Sequence, residues 1–406
     1  MILAHKIEFK PSTKEQETLL RKSCGVARFV YNWALDYWQT LTSATLSHKG
    51  ILSFSPNSVK KYFNSIKREQ FPFVMEVTKC AAEQAFVNLS EAIKRHEKGL
   101  SREPVHKKKG KRDSFYVSND KFTLVGQKLR LPKIGWVKLT ETLRFTGKIL
   151  SLVVSQCAGR WYVSIQVELD EATEKAYHRD NQAGIGGDLG VKNLLTLSNG
   201  ESIPGSKALK SHLKKLKRLC RQLSGKIKGS ANYRKAVLEL QCLYARITAI
   251  RHDCLHKVTS YLADHYGVIC LEDLNVSGML RNHKLARAIA DMGFGELRRQ
   301  MSYKAELRGC EVRYADRFFA SSKLCSGCGW KNEFQTLADR VFRCLECHLE
   351  IDRDLNAAIN ILQICTVGYT GIYACGDRST GTGDSVKLLS LKQELTVNEH
   401  FCSLER

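Results

Sequence analysis

The chain has 406 residues, 43% of them hydrophobic, and a formal net charge of +23. That apolar fraction excludes global disorder and the length accommodates two to four domains. The charge exceeds what solubility requires and calls for a polyanionic partner; because no apolar run reaches the ~18–20 residues that span a bilayer, nucleic acid is favoured over a membrane surface. Of the fifteen cysteines, four fall into two CxxC pairs and others, such as Cys24, Cys242 and Cys270, lie within apolar runs. This distribution suits a reducing compartment with free buried thiols and one metal site rather than a disulfide framework. Met1-Ile2-Leu3-Ala4-His5-Lys6 has no long signal-like core, so a cytoplasmic location is expected.

Residues 1–10 alternate apolar and polar at Ile2, Ala4, Ile7 and Phe9 and read as a strand. Ser12 or Thr13 starts a helix, with Glu15 or Gln16 as capping-box partner, and Leu19, Val26, Phe29, Val30, Trp33 and Tyr37 recur at helical spacing. A second helix is expected from about Thr78 to Lys98, ending at Gly99, with Ala82, Phe86, Leu89 and Ile93 on its apolar side. Lys107-Lys108-Lys109-Gly110-Lys111-Arg112 is too charged to bury and reads as a linker or backbone-contacting arm, a solvated loop being the alternative. Leu129, Leu131, Ile134, Val137 and Leu139 then lie in strand-like stretches around Pro132 and Gly135. Val153–Gln156 and Trp161–Val167 flank Ala158-Gly159 as a hairpin. The expectation is a β-barrel closed by the N-terminal strand, with the helical module inserted after that strand.

From Ala183 the pattern is mixed α/β. Two strands joined by Ser198-Asn199-Gly200 are expected to carry the first carboxylate, Asp188. Two long helices follow at about 207–224 and 231–265, the first with Leu209, Leu213, Leu216, Cys220 and Leu223 on one stripe. Between Lys207 and Lys257 there are fourteen Lys/Arg against two acids, Glu239 and Asp253, which suits a nucleic-acid-facing surface better than plain solvation. Val268–Leu271 reads as a buried strand ending at Glu272, Glu311–Tyr314 as another, and 354–364 as a helix. Residues 366–406, rich in Gly, Thr and Ser, are expected to be loosely ordered.

Two constellations carry chemistry. Cys325-x2-Cys328-x15-Cys344-x2-Cys347 has the spacing of a four-thiolate zinc ribbon: each CxxC turn points two sulfurs inward, and a site filled by four thiolates is structural. His348 is a weaker competing ligand, and a redox pair is disfavoured by the matched units. The second constellation is a set of acids. Asp188, Glu272 and Asp354, at strand ends and a helix start, suit a magnesium-dependent phosphodiester hydrolase, in which two metals ~3.5–4 Å apart activate water and stabilise the leaving oxygen. Singly, each has a bland alternative as a turn cap, a surface strand end or an N-terminal helix charge. Asp352 is better placed as the helix N-cap, and Asp273 as a structural acid on the opposite face of its strand.

These motifs resemble the TnpB (OrfB-type) proteins of bacterial and archaeal insertion sequences, which are similar to type V CRISPR effectors. The resemblance rests on Gly186-Gly187-Asp188-Leu189-Gly190-Val191-Lys192 with Leu197-Ser198-Asn199-Gly200, on Leu271-Glu272-Asp273-Leu274, on Ser321 through Gly329 and on Asp352 through Ile361. Ala27 through Asn32 and Leu131 through Trp136 add to it. It implies an α/β multidomain protein. A β-barrel wedge domain would occupy 1–10 and 114–178, and a helical recognition domain 11–113. An RNase H-like RuvC nuclease domain would cover 179–320 and 351–366, with a zinc ribbon at 321–350 and a flexible tail at 367–406. It further implies an RNA-guided DNA endonuclease of a transposable element, in the prokaryotic cytoplasm and nucleoid. Its guide RNA would come from the element's end, its double-stranded target would lie beside a short flanking motif near Lys79, and a monomer is favoured. Asp188, Glu272 and Asp354 would then be the magnesium-binding triad. Gly187 departs from the family pattern, which has Ile or Val before the aspartate. The competing readings are a guided repressor or transposition accessory protein, a transposase proper, and a zinc-bearing DNA-binding module. An intact triad disfavours the first, no evident tyrosine nucleophile supports the second, and the last leaves the acids unexplained.

Overall fold

The computed structural model describes residues 1–45, 55–336 and 339–366; the expected loose tail after residue 366 lies outside them. The chain forms two compact units, one of residues 1–177 with 218–245, the other of 178–217 with 246 onward.

The first unit opens with β1 (Ile2–Lys10). Leu3, His5, Ile7 and Phe9 point inward and Ile2 is exposed, so the alternation expected at Ile2 and Ala4 is out of phase by one residue. With a period of 2, parity decides the buried face. Helix α1 (Lys14–Thr45) follows; Thr13 Oγ1 accepts the amide of Gln16 at 3.2 Å, and Gln16 Oε1 accepts that of Ser12 at 2.8 Å. A helix absent from the sequence reading, α2 (Pro56–Gln70), packs Val59 and Phe63 against α1, and α3 (Lys79–Glu97) adds Phe86, Leu89 and Ile93 to the same core. The antiparallel strands are β2 (Ser114–Ser118), β3 (Thr123–Val125), β4 (Lys128–Leu131), β5 (Gly135–Leu139), β6 (Gly147–Cys157) and β7 (Arg160–Leu169), followed by α4 (Glu171–Tyr177). Ala158 (φ 50°) and Gly159 (φ 77°) form the two-residue turn between β6 and β7, as a type I′ hairpin needs. The sheet order is β2-β6-β7-β1-β5-β4-β3. β1 thus lies in the middle, and among the described residues no ladder joins the edge strands β2 and β3, so the observed arrangement is a seven-stranded sheet rather than the expected closed barrel.

The second unit is built on β8 (Gly184–Leu189), β9 (Leu195–Leu197) and β10 (Ser202–Ile203). Asp188 lies on β8, while the Ser198-Asn199-Gly200 turn joins β9 to β10, one strand later than expected. Helices α5 (Ala208–Ser224) and α6 (Ala231–His265) contribute residues to both units. Then come β11 (Val268–Glu272), α7 (Val276–Met279), α8 (Ala286–Met292), α9 (Phe294–Arg308), β12 (Glu311–Ala315), β13 (Val341–Arg343), β14 (Glu350–Asp352) and α10 (Arg353–Thr366). The five-stranded sheet runs β10-β9-β8-β11-β12, with β8, β11 and β12 parallel. One face, with Ile185, Ile269 and Leu271, packs on α6, α8 and α9 through Leu255, Leu262, Ile289 and Leu297. The other face receives α10, through Cys270, Ala315 and Ile361. Asp291 of α8, almost fully buried, accepts the first amides of α5, Leu209 at 2.9 Å and Lys210 at 3.0 Å.

Candidate active site and metal centre

Strand register places two of the three acids. β8 and β11 are parallel with Cys270 opposite Gly186 and Leu271 opposite Gly187. The next step brings Glu272 level with Asp188, and alternation turns both toward the face that α10 covers. Helix α10 reaches that face closely because Gly186 has no side chain: a Cβ there would lie 2.1 Å from the Ala358 carbonyl oxygen. Farther back along β8, Gly184 faces Leu362 and Thr366, so the helix runs antiparallel to the strand. One helical turn from Ala358 back to Asp354 covers about 6 Å, and two strand residues from Gly186 to Asp188 about 6.6 Å. Asp354 is thereby carried toward Asp188.

Electrostatics report the same gathering. Burial, then the charges of Glu272 and Asp354, push Asp188 up to about 8, against the opposing pull of Arg353. Burial also raises Glu272, which accepts a hydrogen bond from Ser321 Oγ at 2.8 Å. Arg353 Nη2 donates to Asp354 Oδ1 at 3.0 Å. Buried acids, one of them pressed by its neighbours' charges, are a donor set that a hard cation would neutralise. Ser321 and Arg353 orient two of the acids; neither carries a sequence signal that would single it out.

The neighbouring acids have other duties. Asp352 Oδ1 accepts the amides of Asp354 at 2.9 Å and Leu355 at 3.1 Å, capping α10 as expected. Asp273 pairs with Arg298 at 2.5 Å and Arg317 at 2.6 Å, which hold its carboxyl below the usual range.

The sulfurs of Cys325, Cys328, Cys344 and Cys347 all lie within 4.8 Å of one another. Each knuckle ends in a left-handed residue directly after its second cysteine: Gly329 (φ 80°) in the first and His348 (φ 59°) in the second. His348 therefore serves as a turn residue, and the four-sulfur cluster does not include it. Burial raises the Cys344 thiol, but the amides of Cys347 and Glu346 outweigh it and bring it down to about 7, favouring the thiolate a metal needs. Phe342, Trp330 and Ile351 form the small core of the ribbon. The ribbon is tied to α10 by two asparagines one turn apart. Asn356 accepts the Ser326 amide at 2.9 Å and donates to the Leu324 carbonyl, and Asn360 donates to the carbonyls of Ser321 and Leu324.

On α5, Lys210, Lys214, Lys215, Lys217, Arg218 and Arg221 are exposed while Leu209, Leu216 and Leu219 are buried. The basic stripe is thus a surface. Farther on, Lys257 pairs with Asp253 and the half-buried Arg251 lies by Asp291, so the basic excess is partly neutralised there. Among the described residues no helix is long and apolar enough to cross a membrane.

The chain is similar to known proteins in sequence and in fold. The model of the IS605 OrfB family, described as "Probable transposase", matches residues 164–283, a "Cas12f1-like, TNB domain" matches 294–361 and a helix-turn-helix model matches 1–45. Within the last span the structure holds one strand and one helix. The Escherichia coli (strain K12) protein named "Putative RNA-guided DNA endonuclease InsQ" is 30% identical, covering 92% of this chain and 94% of its own. A Streptomyces pristinaespiralis protein named "Putative RNA-guided DNA endonuclease" is 35% identical over 96% of both. The fold is similar to that in a solved Cas12f1–sgRNA–target DNA complex, with a TM-score of 0.54 and 17% identity over 86% of this chain and 83% of that one. Since that identity extends over nearly the whole of both curated relatives, the chain belongs to the OrfB (TnpB) family of insertion-sequence proteins.

Proposed function

We propose that the protein is the RNA-guided DNA endonuclease of a transposable element, hydrolysing phosphodiesters at Asp188, Glu272 and Asp354. The observation that carries this reading is the approach of α10 to β8 at Gly186, which brings a helix-borne aspartate to two strand-end acids. The three carboxylates would hold two magnesium ions, whose chemistry is to acidify a bound water and to offset charge on the leaving oxygen. Ser321 and Arg353 keep Glu272 and Asp354 oriented. In this reading residues 179–320 and 351–366 are a RuvC-type nuclease domain, and 321–350 a zinc ribbon whose four thiolates hold one structural ion. The sheet of 1–10 and 114–178 acts as a wedge and 11–113 as a recognition module. The exposed lysines of α5 suit a phosphate backbone. The names of the relatives and of the Cas12f1 complex support guide RNA and target DNA as partners.

The test is expression beside the native downstream DNA, sequencing of the co-purified RNA, and cleavage of a duplex matching its variable end. A discrete RNA that directs magnesium-dependent cutting is the expected result. Asp354→Ala should abolish cutting and leave target binding intact; retained cutting would overturn the site assignment.

A further inference from the structure

Phe318 and Phe319 are consecutive and have opposite surroundings. Phe319 packs with Cys270, Ala315 and Ile361 beneath the carboxylate face, whereas Phe318 is 89% exposed. The segment that bears them is fixed at both ends to the end of β11. Arg317 Nη2 donates to Asp273 Oδ2 at 2.6 Å and its Nε to the Asp273 carbonyl at 3.3 Å. Ser321 Oγ donates to Glu272 Oε1 at 2.8 Å. Just ahead of the first anchor, Asp316 accepts the amide of Phe318 through its carboxylate at 2.8 Å and that of Phe319 through its carbonyl at 3.0 Å. Phe318 is therefore carried, with its ring exposed, on a braced turn tied to the end of β11 that bears Glu272.

A lone exposed apolar side chain is ordinary. This one differs in lying on a turn whose far anchor, Ser321, holds Glu272 itself, and in the charged side chains of that turn. Arg298 and Arg317 share the carboxylate of Asp273, and the Asp316 carboxylate holds the Phe318 amide, so two half-exposed guanidinium groups at the turn can donate to a phosphate. An aromatic face accepts any base, but only a base whose own face is uncovered, which excludes one stacked within a duplex. We propose that Phe318 is a positioning residue on which one unpaired base of the DNA strand stacks as that strand enters the carboxylate site. The inference rests on the nuclease reading above.

The test compares Phe318→Ala, Phe318→Leu and Phe318→Trp with the parent, each as the RNA-loaded protein, by single-turnover cleavage and by binding of the matching duplex. Ala and Leu should slow cleavage about tenfold, the scale of one lost base stack, with duplex affinity and melting temperature unchanged. Trp should restore the parental rate, because it supplies a ring where Leu supplies only apolar bulk. Parental cleavage by Phe318→Ala, or full activity in Phe318→Leu, would overturn the proposal. Asp188→Ala run alongside separates the two failures: if it still cuts, the nuclease site is wrong, and if it is dead while Phe318→Ala is unimpaired, only the stacking role falls.

Discussion

Replacing Gly186 with alanine is the most direct probe of how the site is assembled. The new Cβ would stand 2.1 Å from the Ala358 carbonyl oxygen and 2.8 Å from both the amide nitrogen and Cβ of Leu362. Ordinary contact begins near 3.4 Å, so α10 must retreat by more than 1 Å at Ala358. Two of these three atoms are helix backbone, which no rotamer change can move, and Asn356 and Asn360 tie the same helix to the ribbon. Overpacking of this kind costs about 3 kcal/mol, which lowers the melting temperature by roughly 6–12 °C in a domain of this size. Asp354 lies one turn from the clash, and a misplacement of ~1 Å at a reacting centre costs on the order of 100-fold in rate. Gly187→Ala is the control. Its Cβ would point to the opposite face, 2.7 Å from Leu195 Cδ1 and 3.1 Å from Leu271 Cδ2, the ends of side chains that can rotate; its cost should stay near ~1 kcal/mol. Thermal unfolding and single-turnover cleavage read both variants. A Gly186→Ala protein that melts and cuts like the parent, or a Gly187→Ala protein as damaged as Gly186→Ala, would refute the proposed approach of α10.

Three further outcomes are expected. Elemental analysis should find one zinc per chain; Cys344→Ser should lower that content and the melting temperature together, and a metal-replete parent without zinc would sink the ribbon assignment. Changing Lys214, Lys215 and Lys217 together to Gln should weaken DNA or RNA binding and reduce the magnitude of its log–log salt slope by about 2–3; an unchanged slope would remove α5 from the interface. Burial lowers the Lys304 ammonium from 10.5 to about 8, while its Nζ donates to Thr259, Ser260 and the His256 carbonyl. Between those values the unfolded chain binds more protons than the folded one, so stability should rise with pH across that window. Lys304→Met should flatten the rise in urea-unfolding profiles, and a profile identical to the parent's would contradict the linkage.

The four-cysteine cluster is legible in the sequence because the CxxC spacing is set by metal chemistry, and the candidate acids stand out as carboxylates at strand ends and a helix start. Helix α9 is not legible, because its inward face includes Gln300 and Lys304 beside Leu297 and Met301. Gln300 Oε1 accepts from Thr259 Oγ1 at 2.9 Å in the interior, and a polar residue satisfied there looks like a surface residue in the chain. α2 is hidden for a different reason: of its described residues only Val59 and Phe63 are buried, too few to mark an apolar stripe. The phase of β1 was misread because His5, a polar residue, occupies an inward position; burial and Arg144 hold it below its ordinary pKa. Gly187 reads in the sequence as lost strand packing, yet Leu195 and Leu271 occupy the space its side chain would take. The glycine is complemented by its neighbours, and Asp188 loses no support there.

Helix α10 links the four-cysteine ribbon to the acids. Its cap is Asp352, the last residue of the ribbon strand β14. Its first turn carries Asp354, its second and third place Asn356 and Asn360 under the first cysteine knuckle, and Ala358 sits against Gly186. The helix thus has two independent fixings, a backbone contact on the sheet and a polar tie to the ribbon. With only the sheet contact, α10 keeps its packing on the sheet through Ala358 and Ile361 but loses the hydrogen bonds that fix its N-terminal turns, where Asp354 lies. A metal held by the four cysteines would therefore act on the geometry of the acids through Asn356 and Asn360. Loss of zinc should be felt in cleavage before it is felt in the folding of the sheet.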